Sequence, residues 1–469
     1  MPITVLGGTK LADTTFSVAN SCRFNDGDTA YMHKDFGTPT DGKKWTLSMW
    51  VKRGTMGANQ YLATCEVDSS HATYIRFHSS DKLQFYDWDS PTEYNCNTNR
   101  LFRDPSAWYH LVFVWDSANA TAGNRMRLYV NGTEETSLSS DAQPATTRTP
   151  IMNTSGETVE IGRSAANSGP FDGYMAEVVF IDGQALTPTS FGEFNEDSPT
   201  IWQPIDVSGL TFGTNGFYLD FEASDNLGND ANGGTDLTEV NLAATDSSTD
   251  TPSNNFNIML PIMKQASNLT FSEGNLAIAW PSANTWRTIY SSIMPTAGKW
   301  YFEAKNTTSN DNFIGMVGEA GVDNTDDSSI SAPASAYSLK NDGNKYNNGS
   351  AASYGVSTTT NDIIGVAMDL DNGTIWFSKN GTWMNSATQA EVVAGTTTNA
   401  AYSSITVGAA YPYGIGASGK ESAGFSFNFG SPPYAISSGN ADDNGYGNFE
   451  YDVPTGFYSL CTKNLAEYG

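Results

Sequence analysis

"DIIGVAMDLDNGTIWFSKNGTW", residues 362–383, admits two readings that imply different proteins. In one, Asp369 and Asp371 form an acid/base pair, and Trp376 and Trp383 make a platform for a sugar ring. In the other, the stretch is strand, turn, strand, turn, strand. Period-two spacing puts Ile364, Val366, Met368 and Leu370 on one face, which Ile375 and Phe377 continue after the first turn. Asp371-Asn372-Gly373 and Asn380-Gly381 read as reversals, because Asn and Gly accept positive φ at little cost. Asp369 then points away from the apolar face, and Asp371 sits where a side chain caps backbone amides. Trp376, opposite Ile375, falls on the surface or in a second packed layer. The strand reading gives the carboxylates structural work, and it is the one adopted.

The same period recurs on both sides of this stretch. "WTLSMWV" (45–51) aligns Trp45, Leu47, Met49 and Val51. "RMRLYVNG" (125–132) aligns Met126, Leu128 and Val130, then turns at Asn131-Gly132. "KWYFEAK" (299–305) aligns Trp300, Phe302 and Ala304, and "FSFNFG" (425–430) aligns Phe425, Phe427 and Phe429. Many short alternating runs divided by turn formers predict an all-β chain of sandwiches. "WYHLVFVWD" (108–116) is apolar in both phases, so it is expected to be central and covered on both sides. No segment carries a helical stripe longer than two turns, a heptad repeat or a collagen-like period, so no long fibrous shaft is expected.

A length of 469 residues predicts two or three domains. Aromatic residues make up 12% and Lys and Arg are scarce, as in strands joined by polar turns. A net charge of −27 makes nucleic acid and anionic lipid poor partners. Cys22, Cys65, Cys96 and Cys461 form no CxxC and are too scattered for a disulfide framework, so free thiols in a reducing cytoplasm are expected. The start, "MPITVLGGTKLADTTF", lacks the pattern of a signal peptide, and no apolar run is long enough for a membrane span. The Asn-x-Ser/Thr triplets then follow from composition alone.

Turn formers and acids concentrate at "DNLGNDANGGTD" (225–236), "ATDSSTDTPSNN" (244–255) and "SSGNADDNGYGN" (437–448). They divide the chain into an N-terminal arm over 1–19, an expected attachment segment; a first sandwich over 20–221; an extended acidic connection over 222–265; a second sandwich over 266–435; and a tail over 436–469. "GFYLDF" (216–221) and "TGFYSL" (455–460) echo each other, and each reads as a closing strand.

Residues 266–435 resemble a SPRY domain, through "GKWYFEAK", "FIGMVGEAGVD" (313–323), "AYSLKNDGNKYNNG" (336–349), the opening stretch and "FSFNFG". That resemblance implies a bent two-sheet sandwich that binds partners through its loops and performs no catalysis. Residues 20–205 resemble a laminin G-like, concanavalin A-like jelly roll, through "WTLSMWVKRG", "AWYHLVFVWD", "RMRLYVNGTEE", "VEIGRS" and "FDGYMAEVVFIDGQALTPTSFGEF". The expected fold class is therefore all-β, two β-sandwich (jelly-roll) domains in tandem. The tandem, with the ending "VPTGFYSLCTKNL", resembles virion proteins of tailed phages, marine ones in particular. Such proteins are assigned as tail fibre or host-recognition components.

Candidate chemistry is sparse. Laminarinase-type relatives of the concanavalin A-like fold place catalytic acids as E-x-D-x-x-E on one strand, and no such run is present. "EFNEDSP" (193–199) suits a loop. Of His33, His71, His78 and His110, the last lies in the two-faced strand and reads as a satisfied core residue. No zinc spacing and no phosphate loop occurs. Acidic loops at 225–236 and 322–328 do not fit the EF-hand pattern and read as solvated; no cofactor is expected, and structural calcium has no motif behind it. Asp172 reads as shaping a turn. Aromatic residues in loops are the positive clue: Trp286 and Arg287 in "NTWRTIY" and Tyr411 and Tyr413 in "AAYPYGIG" are the candidate ligand-binding residues.

The reading is a non-catalytic virion surface protein that adheres to its host through a surface saccharide or receptor. Expected partners are other virion proteins and a host glycan, and neither nucleic acid nor an inserted membrane; a homo-oligomer, as a trimer, follows from the resemblance. The missing shaft favours the alternative, a capsid-decoration or structural component without a ligand. A polysaccharide-degrading enzyme is the third reading.

Overall fold

A computed structural model describes residues 16–164, 169–262, 268–322 and 328–469. The described residues 16–253 form one compact unit, and those from Asn254 on form another. The 1–19 arm falls mostly outside the described residues. Its end, Phe16 and Val18, packs against Trp50, Ala176 and Trp202 of the first unit.

The first unit contains β1 (Ser21–Phe24), β2 (Tyr31–Asp35), β3 (Lys44–Arg53), β4 (Gln60–Asp68), β5 (His71–Phe77) and β6 (Lys82–Asp89). There follow β7 (Thr92–Leu101), β8 (Trp108–Asp116), β9 (Met126–Val130), β10 (Thr133–Glu134), β11 (Leu138–Ala142) and β12 (Thr158–Ile161). The rest are β13 (Gly173–Asp182), β14 (Gly192–Phe194), β15 (Trp202–Pro204), β16 (Phe217–Leu219), β17 (Thr238–Val240) and β18 (Ser247–Ser248). One sheet runs β10-β9-β8-β3-β13-β1-β18, with β16 also on β13; the other runs β11-β7-β6-β5-β4-β12-β2-β17.

The alternation read from sequence places the side chains. Trp45, Leu47, Met49 and Val51 enter the core between the sheets, with Leu111, Phe113 and Trp115 of β8 and Ile75, Phe77, Leu83 and Phe85 of the facing sheet. Burying each such side chain contributes about 1.5–3 kcal/mol. The second phase of β8 is covered too: Val112 and Val114 pack with Val179, Ile181, Phe191 and Phe212 in an outer layer.

The second unit contains β19 (Thr270–Ser272), β20 (Ala277–Ala279), β21 (Arg287–Tyr290), β22 (Lys299–Asn306), β23 (Asn312–Gly318) and β24 (Ala336–Lys340). It continues with β25 (Asn344–Asn347), β26 (Ser350–Ser353), β27 (Ile363–Asp369), β28 (Thr374–Lys379) and β29 (Thr382–Trp383). A short helix α1 (Gln389–Ala394), β30 (Tyr413–Gly419), β31 (Gly424–Asn428), β32 (Tyr458–Ser459) and helix α2 (Thr462–Tyr468) complete it. One sheet is β19-β20-β31-β22-β27-β28-β29, with β32 parallel to β22; the other is β21-β30-β23-β24-β25-β26.

The opening stretch is strand, turn, strand, turn, strand. Ile364, Val366, Met368, Leu370, Ile375 and Phe377 lie in the core. Gly373 takes φ +65, and a Cβ there would meet Ile405 O at 2.2 Å, so only glycine fits this turn. Asp369 is fully buried. Its Oδ1 accepts from Asp371 N at 3.1 Å and Asn372 N at 2.9 Å, and Lys299 Nζ lies 3.2 Å from its Oδ2. Asp371 Oδ1 caps Gly298 N at 2.8 Å. Trp376 is buried in a second layer with Tyr301, Phe449 and Phe457.

Two expectations are corrected. Of the expected extended connection over 222–265, the described part, 222–262, is not one, and 263–265 lie outside the described residues. Thr238–Val240 pairs with β2 and Ser247–Ser248 with β1, Leu227 and Leu237 enter the first core, and Ile258 and Met259 enter the second. Nor are the acids of the turn-rich segments simply solvated. Asp230 Oδ1 accepts from Tyr218 N and Asn232 N, and Asp236 Oδ1 accepts from Asp230 N. Asp250 holds Lys52 at 2.6 Å, with both side chains buried. Asp442, inside "SSGNADDNGYGN", accepts from Asn444 N, Tyr446 N, Ser459 N, Ser459 Oγ and Asn464 Nδ2. Short acidic side chains satisfy loop amides that would otherwise be buried without partners, and so fix segments that have few apolar residues.

Candidate functional site

The outward face of the sheet containing β4 to β7 carries aromatic residues where alternation calls for polar ones. Register sets its layout. Tyr74 on β5 is opposite Tyr86 on β6, which is opposite Asn95 on β7. One step along, Tyr61, Arg76, Gln84 and Asn97 are opposite one another in turn across β4 to β7. One step the other way lies Trp88, opposite Ala72 and Glu93. With strands about 4.8 Å apart and residues about 3.4 Å apart, the platform from β5 to β11 and from Gln84 to Trp88 measures roughly 14 Å each way.

Its side chains are held in place. The Tyr74 and Tyr86 rings lie 6.2 Å apart and 26° from parallel, and Tyr61 meets Tyr74 edge-on at 5.5 Å. Arg76 donates from Nη1 to the Tyr61 hydroxyl at 2.6 Å and from Nε to Gln84 Oε1 at 2.9 Å. Tyr74 donates to Glu66, whose other oxygen takes Ser164 Oγ at 2.8 Å. Burial, then Glu66, pushes the Tyr74 hydroxyl up to about 12; burial and a bond to Glu93 push Tyr86 up as well. Both stay protonated at neutral pH and act as donors. Arg163 and Ser164, bonded to Thr64 and Glu66, wall the platform along β4. Tyr74, Arg76, Gln84, Tyr86, Trp88 and Asn97 are half-buried, with their bases packed and their upper surfaces open.

The residues expected from sequence to bind are not brought together. Trp286 is half-buried against Phe313 at 5.0 Å, with Lys420 Nζ 5.2 Å from its ring. Arg287 opens β21, opposite Gly419. Tyr413 is a correction: it is 3% exposed at the start of β30 and donates to Thr406 O at 3.0 Å, so it offers no ring to a ligand. Tyr411 is 49% exposed. Trp286 and Tyr411 sit by opposite ends of β30, about 20 Å or more apart along an extended chain. The platform forms no sequence motif because its residues come from separate strands. The available signal was aromatic residues in both phases of "YIRF" (74–77) and "QFYDWD" (84–89).

Groups that resemble catalytic ones are committed elsewhere. His110 is fully buried, its Nδ1 accepts from Trp202 Nε1 at 2.9 Å, and its Nε2 lies 2.8 Å from Ser48 Oγ. Indole is only a donor, so the proton sits on Nε2 and points to Ser48; burial also lowers the imidazole pKa to about 3. The serine therefore has no base beside it. Asp172 accepts from Thr55 Oγ1 at 2.6 Å. Among the described residues no three His, Cys, Asp or Glu side chains converge. Residues 323–327 of the second acidic loop lie outside the described residues.

Residues 25–190 match the family described as Concanavalin A-like lectin/glucanases superfamily, and residues 299–412 match the SPRY domain. The chain thus carries a concanavalin A-like domain followed by a SPRY domain. No relative among curated proteins matches it. Solved structures similar to it include a heptameric SAP-like pentraxin from Limulus polyphemus, at 16% identity over 37% of this chain and 80% of that one, TM-score 0.29. Domain 4 of AbnA, a GH43 extracellular arabinanase from Geobacillus stearothermophilus, in complex with arabinotriose, is 18% identical over 39% and 83%, TM-score 0.29. The SPRY domain of human HERC1 is 14% identical over 32% and 87%, TM-score 0.26. At these identities the likeness concerns the fold alone.

Proposed function

We propose that this chain is a non-catalytic saccharide-binding protein whose contact surface is the Tyr74–Tyr86–Trp88 platform of its concanavalin A-like domain. One observation carries the reading: rings, a guanidinium and side-chain amides share the outward face of a sheet in direct cross-strand register. Flat apolar rings stack on the C–H faces of sugars, and amides and hydroxyls bond sugar hydroxyls. A sheet holds such groups more rigidly than loops do. Binding without turnover fits the commitment of Asp369, Asp442 and His110 to structural bonds.

The finer reading places the chain on a virion surface, where many copies turn weak sugar contacts into firm adhesion to a host. The family resemblance of the tandem supports that role, with other virion proteins and a host glycan as partners. Two experiments test the proposal. A glycan array probed with wild type and Tyr86→Ala should show binding by the first that the second loses. Antibody against the chain should label intact particles; unlabelled particles would remove the virion part and leave the saccharide part standing.

A further inference from the structure

The platform's charge distribution narrows its ligand, on the premise that it binds saccharide at all. Among the platform residues Arg76 is the single guanidinium, and its Nε and Nη1 are already bonded to Gln84 and Tyr61. Lys82 lies on the same face at the start of β6. Against these stand Glu66 and Glu93, which hold the hydroxyls of Tyr74 and Tyr86 and so lie beside any chain laid over those rings. Arg163, on the wall, is paired with Glu160 at 2.6 Å.

The wider field has the same sign. From residue 164 to residue 263 the sequence holds 15 Asp and Glu and no Lys, Arg or His. Residues 16–253 hold 32 Asp and Glu against 14 Lys and Arg. A polyanion approaching this unit meets a repulsive net potential, and at the contact the charges of Arg76 and Lys82 are offset by Glu66 and Glu93. A neutral chain loses nothing by that field and keeps the stacking and the amide bonds.

We infer that the platform selects neutral glycans and excludes uronate-bearing and sulfated ones. The test is a titration of the full chain against a panel of neutral, uronate-bearing and sulfated oligosaccharides on several backbones, at low and high salt, with Tyr86→Ala as the parallel variant. Circular dichroism and melting establish that the variant is folded. A neutral member should bind with an affinity that salt barely alters, and its charged counterpart should bind at least about tenfold more weakly at low salt. Tyr86→Ala should weaken the neutral ligand about tenfold. A charged member that binds as tightly as its neutral counterpart, or more tightly, overturns the selectivity, while the saccharide reading survives if Tyr86→Ala still loses it. If no member binds, or if folded Tyr86→Ala binds all of them like wild type, the saccharide reading itself fails.

Discussion

Tyr74 and Tyr86 lie directly opposite each other on neighbouring strands, rings 6.2 Å apart and 26° from parallel, on the side of the sheet away from the core. On that side a sheet usually carries small polar or charged residues. Two tyrosines, with Trp88 beside them, leave apolar rings half-exposed, which is unfavourable in water unless something covers them. Their hydroxyls are tied to Glu66 and Glu93, so the rings are fixed before a ligand arrives and little ordering entropy is lost on binding.

Trp202 and His110 give a prediction about stability. Trp202→Phe keeps a ring over the imidazole but removes the donor to Nδ1, leaving a buried acceptor without a partner. Denaturant unfolding should show the first unit destabilised by about 1–3 kcal/mol, with glycan affinity unchanged in the folded variant.

Asp442 gives a second. Its carboxylate collects the backbone or side-chain donors of Asn444, Tyr446, Ser459 and Asn464. Asp442→Ala should cost at least about 3 kcal/mol, since several buried donors lose their acceptor together. Amide exchange should speed up over 442–464 and stay unchanged in β3 to β8.

The pH dependence of stability supplies a third. Glu177, in a left-handed conformation at the bulge of β13, is pushed up to about 8 by burial, with Asp220, Glu222 and Asp206 adding to the rise and the Tyr218 hydroxyl, 2.6 Å away, opposing it. The unfolded carboxyl releases its proton near pH 4.5, whereas the folded one holds it to about 8. The folded state therefore binds more protons across that interval, and stability is highest at its acid end and falls as pH rises through about 8. Melting temperature should drop between pH 5 and pH 8, and Glu177→Gln should flatten the slope.

The loop aromatics give a fourth. Tyr411→Ala should leave stability within about 0.5 kcal/mol and glycan binding unchanged, because the residue is exposed. Trp286→Ala should cost about 1–3 kcal/mol through its lost packing on Phe313 and also leave binding unchanged. Both are read by paired melting and titration.

The sandwiches were legible because alternation is a local property. Trp45 to Val51, both phases of Trp108 to Asp116, and the turns at Gly373 and Gly381 could be placed from spacing alone. The behaviour of the acidic segments was not legible. Whether Asp230 or Asp442 faces water or gathers amides depends on which loops fold back over it, and spacing does not encode that. The platform lay between these cases. Tyr74 and Tyr86 each sit on a readable strand, but their meeting depends on the register between β5 and β6. Tyr411 and Tyr413 read as loop aromatics because Pro and Gly flank them, yet Tyr413 sits inside a sheet.

Oxidative footprinting of tyrosine and tryptophan side chains, with and without a saturating glycan, tests the central claim most directly. The account predicts lower oxidation at Tyr74, Tyr86 and Trp88 and no change at Tyr411. Protection at Tyr411 or elsewhere in the SPRY domain, with Tyr74, Tyr86 and Trp88 oxidised as in the free protein, would contradict it.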